Sequence, residues 1–103
     1  MDSDRLYQNA VALLKSLIAT PSFSKEEDGT ARLLHRFLEE QGVLVQQQAN
    51  NVFAKCLHFD AAKPTLLLNS HHDTVRPNSG YTNDPFTPLE NEGKLFGLGS
   101  NDA

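Results

Sequence analysis

Leu66-Leu67-Leu68-Asn69-Ser70-His71-His72-Asp73-Thr74-Val75 is the stretch on which both the fold and the chemistry turn. Its run of three leucines predicts a strand over Thr65–Asn69 covered on both faces, as in an α/β layer. Such a strand delivers a His-x-Asp triplet to its carboxyl end, where ligands gather in open α/β sheets. In extended backbone, residues two apart share a side, so His71 and Asp73 are expected together and His72 opposite them. A carboxylate beside an imidazole raises its basicity and fixes its tautomer and orientation, as metal sites require. This favours His71 as the ligand and Asp73 as its orienter. Taken alone, the triplet also fits a strand-end histidine bonded to a neighbouring carboxylate.

Upstream, Leu6, Ala10, Leu13, Leu14, Leu17 and Ile18 recur at helical spacing and form one apolar face. Asp2, Ser3 or Asp4 can cap that helix, and Thr20-Pro21 closes it, because a residue before proline avoids the helical region. Ser24-Lys25-Glu26-Glu27 reads as a capping box for a second helix through Ala31, Leu34, Phe37 and Leu38. Gly42 is placed to stop it. After Gly42 the period changes, predicting strands at Val43-Leu44-Val45 and Val52–Leu57 around an Ala49-Asn50-Asn51 turn. Asp60–Pro64 and Arg76–Pro88 read as loops, and Lys94-Leu95-Phe96 as a short strand after the Asn91-Glu92-Gly93 turn. The expected architecture is α/β, with two helices packed on a mixed sheet in one unit. Neither an internal repeat nor an interdomain linker is visible.

Composition narrows the function classes. A hydrophobic fraction of 39% and a charged fraction of 21% over 103 residues suit a globular domain. A net charge of -4 with scattered Lys and Arg offers no stripe for phosphates, which argues against nucleic acid. The single cysteine, Cys56, excludes an intramolecular disulfide framework and a Cys-rich zinc knuckle, and is expected half-buried in a strand. No apolar run approaches the roughly 18 residues of a membrane span, and the N-terminus is acidic where a signal peptide would be basic. A soluble, cytoplasmic protein with no membrane partner is the expectation.

The second informative segment is Gly97-Leu98-Gly99-Ser100-Asn101-Asp102. Glycines one apart suggest a tight turn whose backbone closely approaches a neighbour. A dinucleotide fingerprint wants glycine or alanine where Asp102 stands, and an aspartate there would repel pyrophosphate, so a nucleotide is rejected. A carboxylate offered by a turn suits a cation, and one Asp can bridge two metals about 3.5–4 Å apart. Read alone, Asp102 serves equally as the cap of a following helix.

Together these segments resemble the dinuclear zinc deacylases and exopeptidases. That family includes acetylornithine deacetylase, succinyl-diaminopimelate desuccinylase, aminoacylase and the glutamate carboxypeptidases. Ser70-His71-His72-Asp73-Thr74-Val75 is similar to its Gly/Ser-His-x-Asp-x-Val segment. Asp84-Pro85-Phe86 and Gly93–Asp102 are similar to its Asp-Pro-Phe and Gly-x-Leu-Tyr-Gly-Arg-Gly-x-x-Asp segments. The helical N-terminus and Asn51-Val52-Phe53-Ala54 also fit, and the likeness is strongest to acetylornithine deacetylase-like members. The resemblance implies the N-terminal part of a zinc-exopeptidase-like catalytic domain spanning residues 1–103. It makes His71 a ligand of one zinc, Asp73 its catalytic orienter and Asp102 the carboxylate bridging two zincs, with cobalt or manganese as alternative metals. It also implies deacylation of a small N-acyl amino acid in amino-acid (arginine) biosynthesis. The Glu-Glu pair, further ligands and the lid domain through which the full protein forms a homodimer are expected beyond position 103, leaving this chain alone inert. Leu98 and Ala103 depart from the family's Arg and Met, at positions that are not ligands. The peptide after the bridging Asp is cis in the family. Here it is expected to be trans or disordered, since a non-proline cis bond costs about 3–4 kcal/mol and needs surroundings to hold it.

Two other readings compete. His72-Asp73 is similar to the metal pair of the His-Asp phosphohydrolases, although that pair lies on a helix. A truncated binding or regulatory module is the non-enzymatic alternative. His35 and His58 read as surface or half-buried side chains, His72 as a lesser alternative ligand and Asp84 as a turn-former.

Overall fold

The computed structural model describes residues 2–102, which form two helices and four short strands. Helix α1 spans Ser3–Ala19, and the Asp2 carboxylate caps it by accepting from the Asp4 amide at 3.1 Å. Thr20 closes it, as its position before Pro21 predicts. Helix α2 spans Asp28–Glu40. It ends in a Schellman arrangement: Gly42 at φ +81° donates to Glu39 O at 3.0 Å, and Val43 to Leu38 O at 3.4 Å.

The capping box is a correction. Helix α2 starts at Asp28 after Glu27, with no side-chain cap, and the Ser24 hydroxyl bonds elsewhere. Lys25 at φ 70° turns the chain before the helix begins, which takes Ser24 out of register with its amides.

The strands also differ from expectation. β1 (Val45–Gln48) pairs antiparallel with β2 (Asn51–Ala54), Gln48 opposite Asn51, so the turn is Ala49-Asn50. Three glutamines therefore lie in a strand, because a hairpin with an exposed face tolerates polar residues that a buried strand excludes. Lys55–Leu57 fall outside β2, and Cys56 is exposed outside any strand. β3 (Leu89–Asn91) pairs with β4 (Lys94–Phe96) across Glu92-Gly93, both at positive φ, a tight hairpin turn. The expected mixed sheet is thus two separate antiparallel pairs, although the class remains mixed α and β.

The largest departure concerns Thr65–Asn69, which joins neither sheet. Leu66, Leu67 and Leu68 are 83%, 82% and 86% exposed. A strand covered on both faces needs hydrogen-bonded neighbours and a layer on each side, and neither hairpin reaches it. Among the described residues the buried apolar core is correspondingly small: Ile18, Ala31 and Leu98. Leu98, where the resemblance expects arginine, contributes apolar surface to that core.

Helix α1 packs on α2, and α2 on β1 and β2. The glycine turn docks onto α1. A Cβ on Gly97 would lie 2.5 Å from Ile18 Cγ2 and 2.9 Å from its Cδ1. Ile18 is β-branched and buried, so it yields little. Gly97→Ala is expected to destabilise by about 1–3 kcal/mol in urea unfolding, the usual range for overpacking. An unchanged midpoint would show that the helix gives way.

Candidate functional site

The His-x-Asp segment is held from behind by the chain leaving α1. Ser22 and Thr74 share a backbone bond, Thr74 N donating to Ser22 O at 2.7 Å, and Phe23 bridges Thr74 in parallel. The buried Ser22 hydroxyl donates to His72 O at 2.9 Å. Phe23 also meets Phe86 edge-on at 5.9 Å, and the Arg76 guanidinium lies 4.5 Å over its ring. Asp84 accepts the Phe86 amide at 2.9 Å, so it forms the turn that its place before Pro85 predicts. Pro85 O accepts from Leu98 N at 2.9 Å, which ties this loop to the glycine turn.

His72 turns inward. Its Nε2 lies 2.9 Å from the Asn50 carbonyl oxygen, an acceptor only, so Nε2 carries the proton. Its Nδ1 lies 2.7 Å from the Thr30 hydroxyl, which also lies 3.2 Å from Glu27 O, and Thr30 is 1% exposed. Both ring nitrogens are thereby engaged, and His72 anchors the loop to α2 and the β1–β2 turn. This leaves the His72-Asp73 pair, the mark of the phosphohydrolase reading, divided between opposite sides of a non-helical segment.

His71 projects the other way. Its Nδ1 lies 3.2 Å from Asp73 Oδ1 and 3.0 Å from Asp73 O. Both are acceptors, so Nδ1 carries a proton. Asp73 Oδ2 accepts the Ser24 hydroxyl at 2.7 Å. That bond holds the Asp73 carboxyl below the ordinary aspartate range; partial desolvation opposes it and the His71 charge assists it. A depressed aspartate pKa stabilises the fold above the unfolded value, about 3.9, and this contribution is lost as pH falls through the lower folded value. The stability gap between the native chain and Ser24→Ala is therefore expected to close below about pH 4, as acid unfolding would read. A gap constant down to pH 2 would contradict it.

Asp102 reaches the same place by way of the glycine turn. Gly99, at φ +75°, sits against Thr74, and Asp102 N donates to Gly99 O at 3.2 Å. His71, Asp73, Thr74, Gly99 and Asp102 line one cavity of about 230 Å³. The structure thus gathers the three residues singled out in the sequence around a shared hollow. Among the described residues, no group of three or more His, Cys, Asp or Glu stands close enough to hold a metal ion. The chemistry of the donors, a neutral imidazole and a carboxylate, suits a divalent cation, but two donors fill half of a four-coordinate shell. Ala103 and the Asp102–Ala103 peptide lie outside the described residues. His35, bonded to Gln47 at 2.9 Å, and the exposed His58 stand apart from the hollow.

Ser22, Ser24, Thr30 and the Asn50 carbonyl were not identified as parts of this site from sequence. Ser24 and Thr30 lie 49 and 42 positions from their partners. The local signal at Ser24 pointed to a helix cap, and no local signal marked the others.

No protein-family model matches the chain. Among curated proteins it is 34% identical to acetylornithine deacetylase of Edwardsiella ictaluri (strain 93-146) over 104 aligned positions. It is 35% identical to that of Shigella sonnei (strain Ss046) and 36% identical to that of Proteus mirabilis (strain HI4320). Each alignment covers 89% of this chain and 27% of the relative, so the chain spans about a quarter of the length of the proteins it matches. Among the described residues no helix is long and apolar enough to cross a membrane. Over most of its length the chain is similar to part of a hydrolase, and that similarity supports a relationship to the deacylase family these three enzymes represent.

Proposed function

We propose that these residues are part of the metal-binding half of a zinc-dependent hydrolase that removes an acyl group from an N-acyl amino acid. The observation carrying this reading is the divided role of the adjacent histidines. His72 has both ring nitrogens engaged inside the fold, while His71 is bonded through Nδ1 and lines a hollow together with Asp102. In this reading His71 and Asp102 would hold the metal and Asp73 would orient His71. Zinc, when bound, would polarise the amide carbonyl and lower the pKa of a water so that it attacks as hydroxide near neutral pH. The chain's own residues fix the imidazole tautomer and present the second donor.

With two donors, the chain by itself is expected to bind Zn(II) or Co(II) weakly and to leave N-acetyl amino acids intact. A direct test exchanges the matching segment of one of the acetylornithine deacetylases for this chain. The chimera is expected to deacetylate N-acetylornithine, and Asp102→Ala within it to lower kcat/KM at least about a hundredfold, the loss expected when a catalytic electrostatic element is removed. A folded, metal-loaded chimera without deacylase activity would overturn the proposal. Deacylation by the 103-residue chain alone at enzyme-like rates would overturn the expectation that it is inert. Zinc, a homodimeric assembly and a role in arginine biosynthesis belong to this proposal through the family resemblance.

A further inference from the structure

We propose that Ser24 is a positioning residue that selects the His71 tautomer through Asp73; the inference rests on the reading of His71 as a metal donor. The Ser24 hydroxyl donates to Asp73 Oδ2 at 2.7 Å, while Asp73 Oδ1 faces His71 Nδ1 at 3.2 Å. A carboxylate held at one oxygen cannot swing freely, so its other oxygen stays beside His71 Nδ1 as a second acceptor, next to Asp73 O at 3.0 Å. Two acceptors at Nδ1 keep the proton of the neutral ring there and off Nε2. The relay runs from hydroxyl to carboxylate to imidazole.

Ser24 suits this task because of its neighbours. Phe23 is bridged to Thr74 and Ser22 is bonded to His72, so the Ser22–Ser24 segment lies alongside His72–Thr74 as a strap. Ser22 and Phe23 of the strap hold backbone, and the Ser24 side chain bonds a carboxylate. Lys25 at φ 70° then turns the chain away toward α2, which leaves the Ser24 hydroxyl directed at the loop instead of capping the helix. His71 and Asp73 are 48% and 37% exposed at their side chains, so water competes for both. Without Ser24 the carboxylate is expected to sample rotamers that leave Asp73 O as the one remaining acceptor for Nδ1.

Long-range 1H–15N correlation of the His71 ring in the 103-residue chain, at a pH where it is neutral, reads the tautomer directly. The native chain is expected to show Nδ1 protonated and Nε2 bare. Ser24→Ala is expected to give a mixture in which the Nε2-protonated form rises several-fold, and Co(II) affinity to fall about tenfold, the low end for loss of an outer partner of a ligand. Ser24→Thr and Ser24→Val give a stricter comparison: they match in shape, and only threonine retains the donor. Threonine is expected to keep the native tautomer and valine to lose it. Equal tautomer populations in the threonine and valine variants would overturn the proposal, whatever their stability. Should the native chain fail to bind Co(II), the metal reading falls, while the tautomer comparison still decides the role of Ser24.

Discussion

Gly99→Ala is expected to destabilise the chain by about 2–5 kcal/mol, combining the left-handed penalty of roughly 1–2 kcal/mol with about 1–3 kcal/mol of overpacking. Gly99 sits at φ +75°, where an L side chain is strained, and a Cβ there would approach Thr74 Cγ2 to 2.8 Å. A domain of this size has only about 5–15 kcal/mol in total, so such a loss is a large share of it. The two contributions can be separated. Thr74→Ser removes the methyl group and is expected to recover the overpacking part in the double variant while the backbone strain persists. Urea unfolding of the four species checks this through the coupling energy. Strict additivity would mean that Thr74 moves aside without cost. Because the Gly99 turn leads to Asp102 and Thr74 follows Asp73, loosening this contact is also expected to weaken Co(II) binding.

The adjacent histidines are expected to fail in opposite ways. His72→Ala leaves the Asn50 carbonyl without its partner, removes one of the two contacts of the Thr30 hydroxyl and opens a gap against α2. An unsatisfied group away from water costs about 1–3 kcal/mol, and a loss of that size is expected. His71→Ala removes an exposed side chain whose contacts are confined to Asp73, and its stability is expected to stay within about 0.5 kcal/mol. For Co(II) the order reverses: His71→Ala lowers affinity at least about tenfold, beyond what loss of an outer partner typically costs. Absorption titration measures the metal arm, and thermal or urea unfolding the other. If His72→Ala lost metal binding while still folded and His71→Ala did not, the donor assignment would be reversed and the site would have to be rebuilt around His72.

Several features were legible in residue order because their causes are local. The Asp2 cap, the Thr20-Pro21 stop, the Gly42 terminator and the Asn91-Glu92-Gly93 turn each depend on the dihedral preferences or side-chain reach of a few neighbouring residues. The opposed directions of His71 and His72 follow from extended backbone, and the docking of the glycine turn from the absence of a Cβ at Gly97 and Gly99. Where two local meanings competed, residue order misled. Ser24 three positions before Glu27 has the pattern of a capping box, yet its hydroxyl lies on a carboxylate 49 positions away. Leu66–Leu68 has the composition of a covered strand, but a strand requires partners, and composition cannot say whether they are present.

Residue order alone set helix α1 with both its ends, the apolar face and stop of helix α2, and the Glu92-Gly93 turn, since these rest on periodicity and backbone preference, and motif spacing singled out His71, Asp73 and Asp102. Only the tertiary structure decided that Ser24 serves Asp73, that Thr30 and the Asn50 carbonyl consume both nitrogens of His72, and that three leucines stand in solvent. Those outcomes depend on which distant groups meet, and a hydroxyl or an imidazole bonds whichever partner the packing brings within about 3 Å.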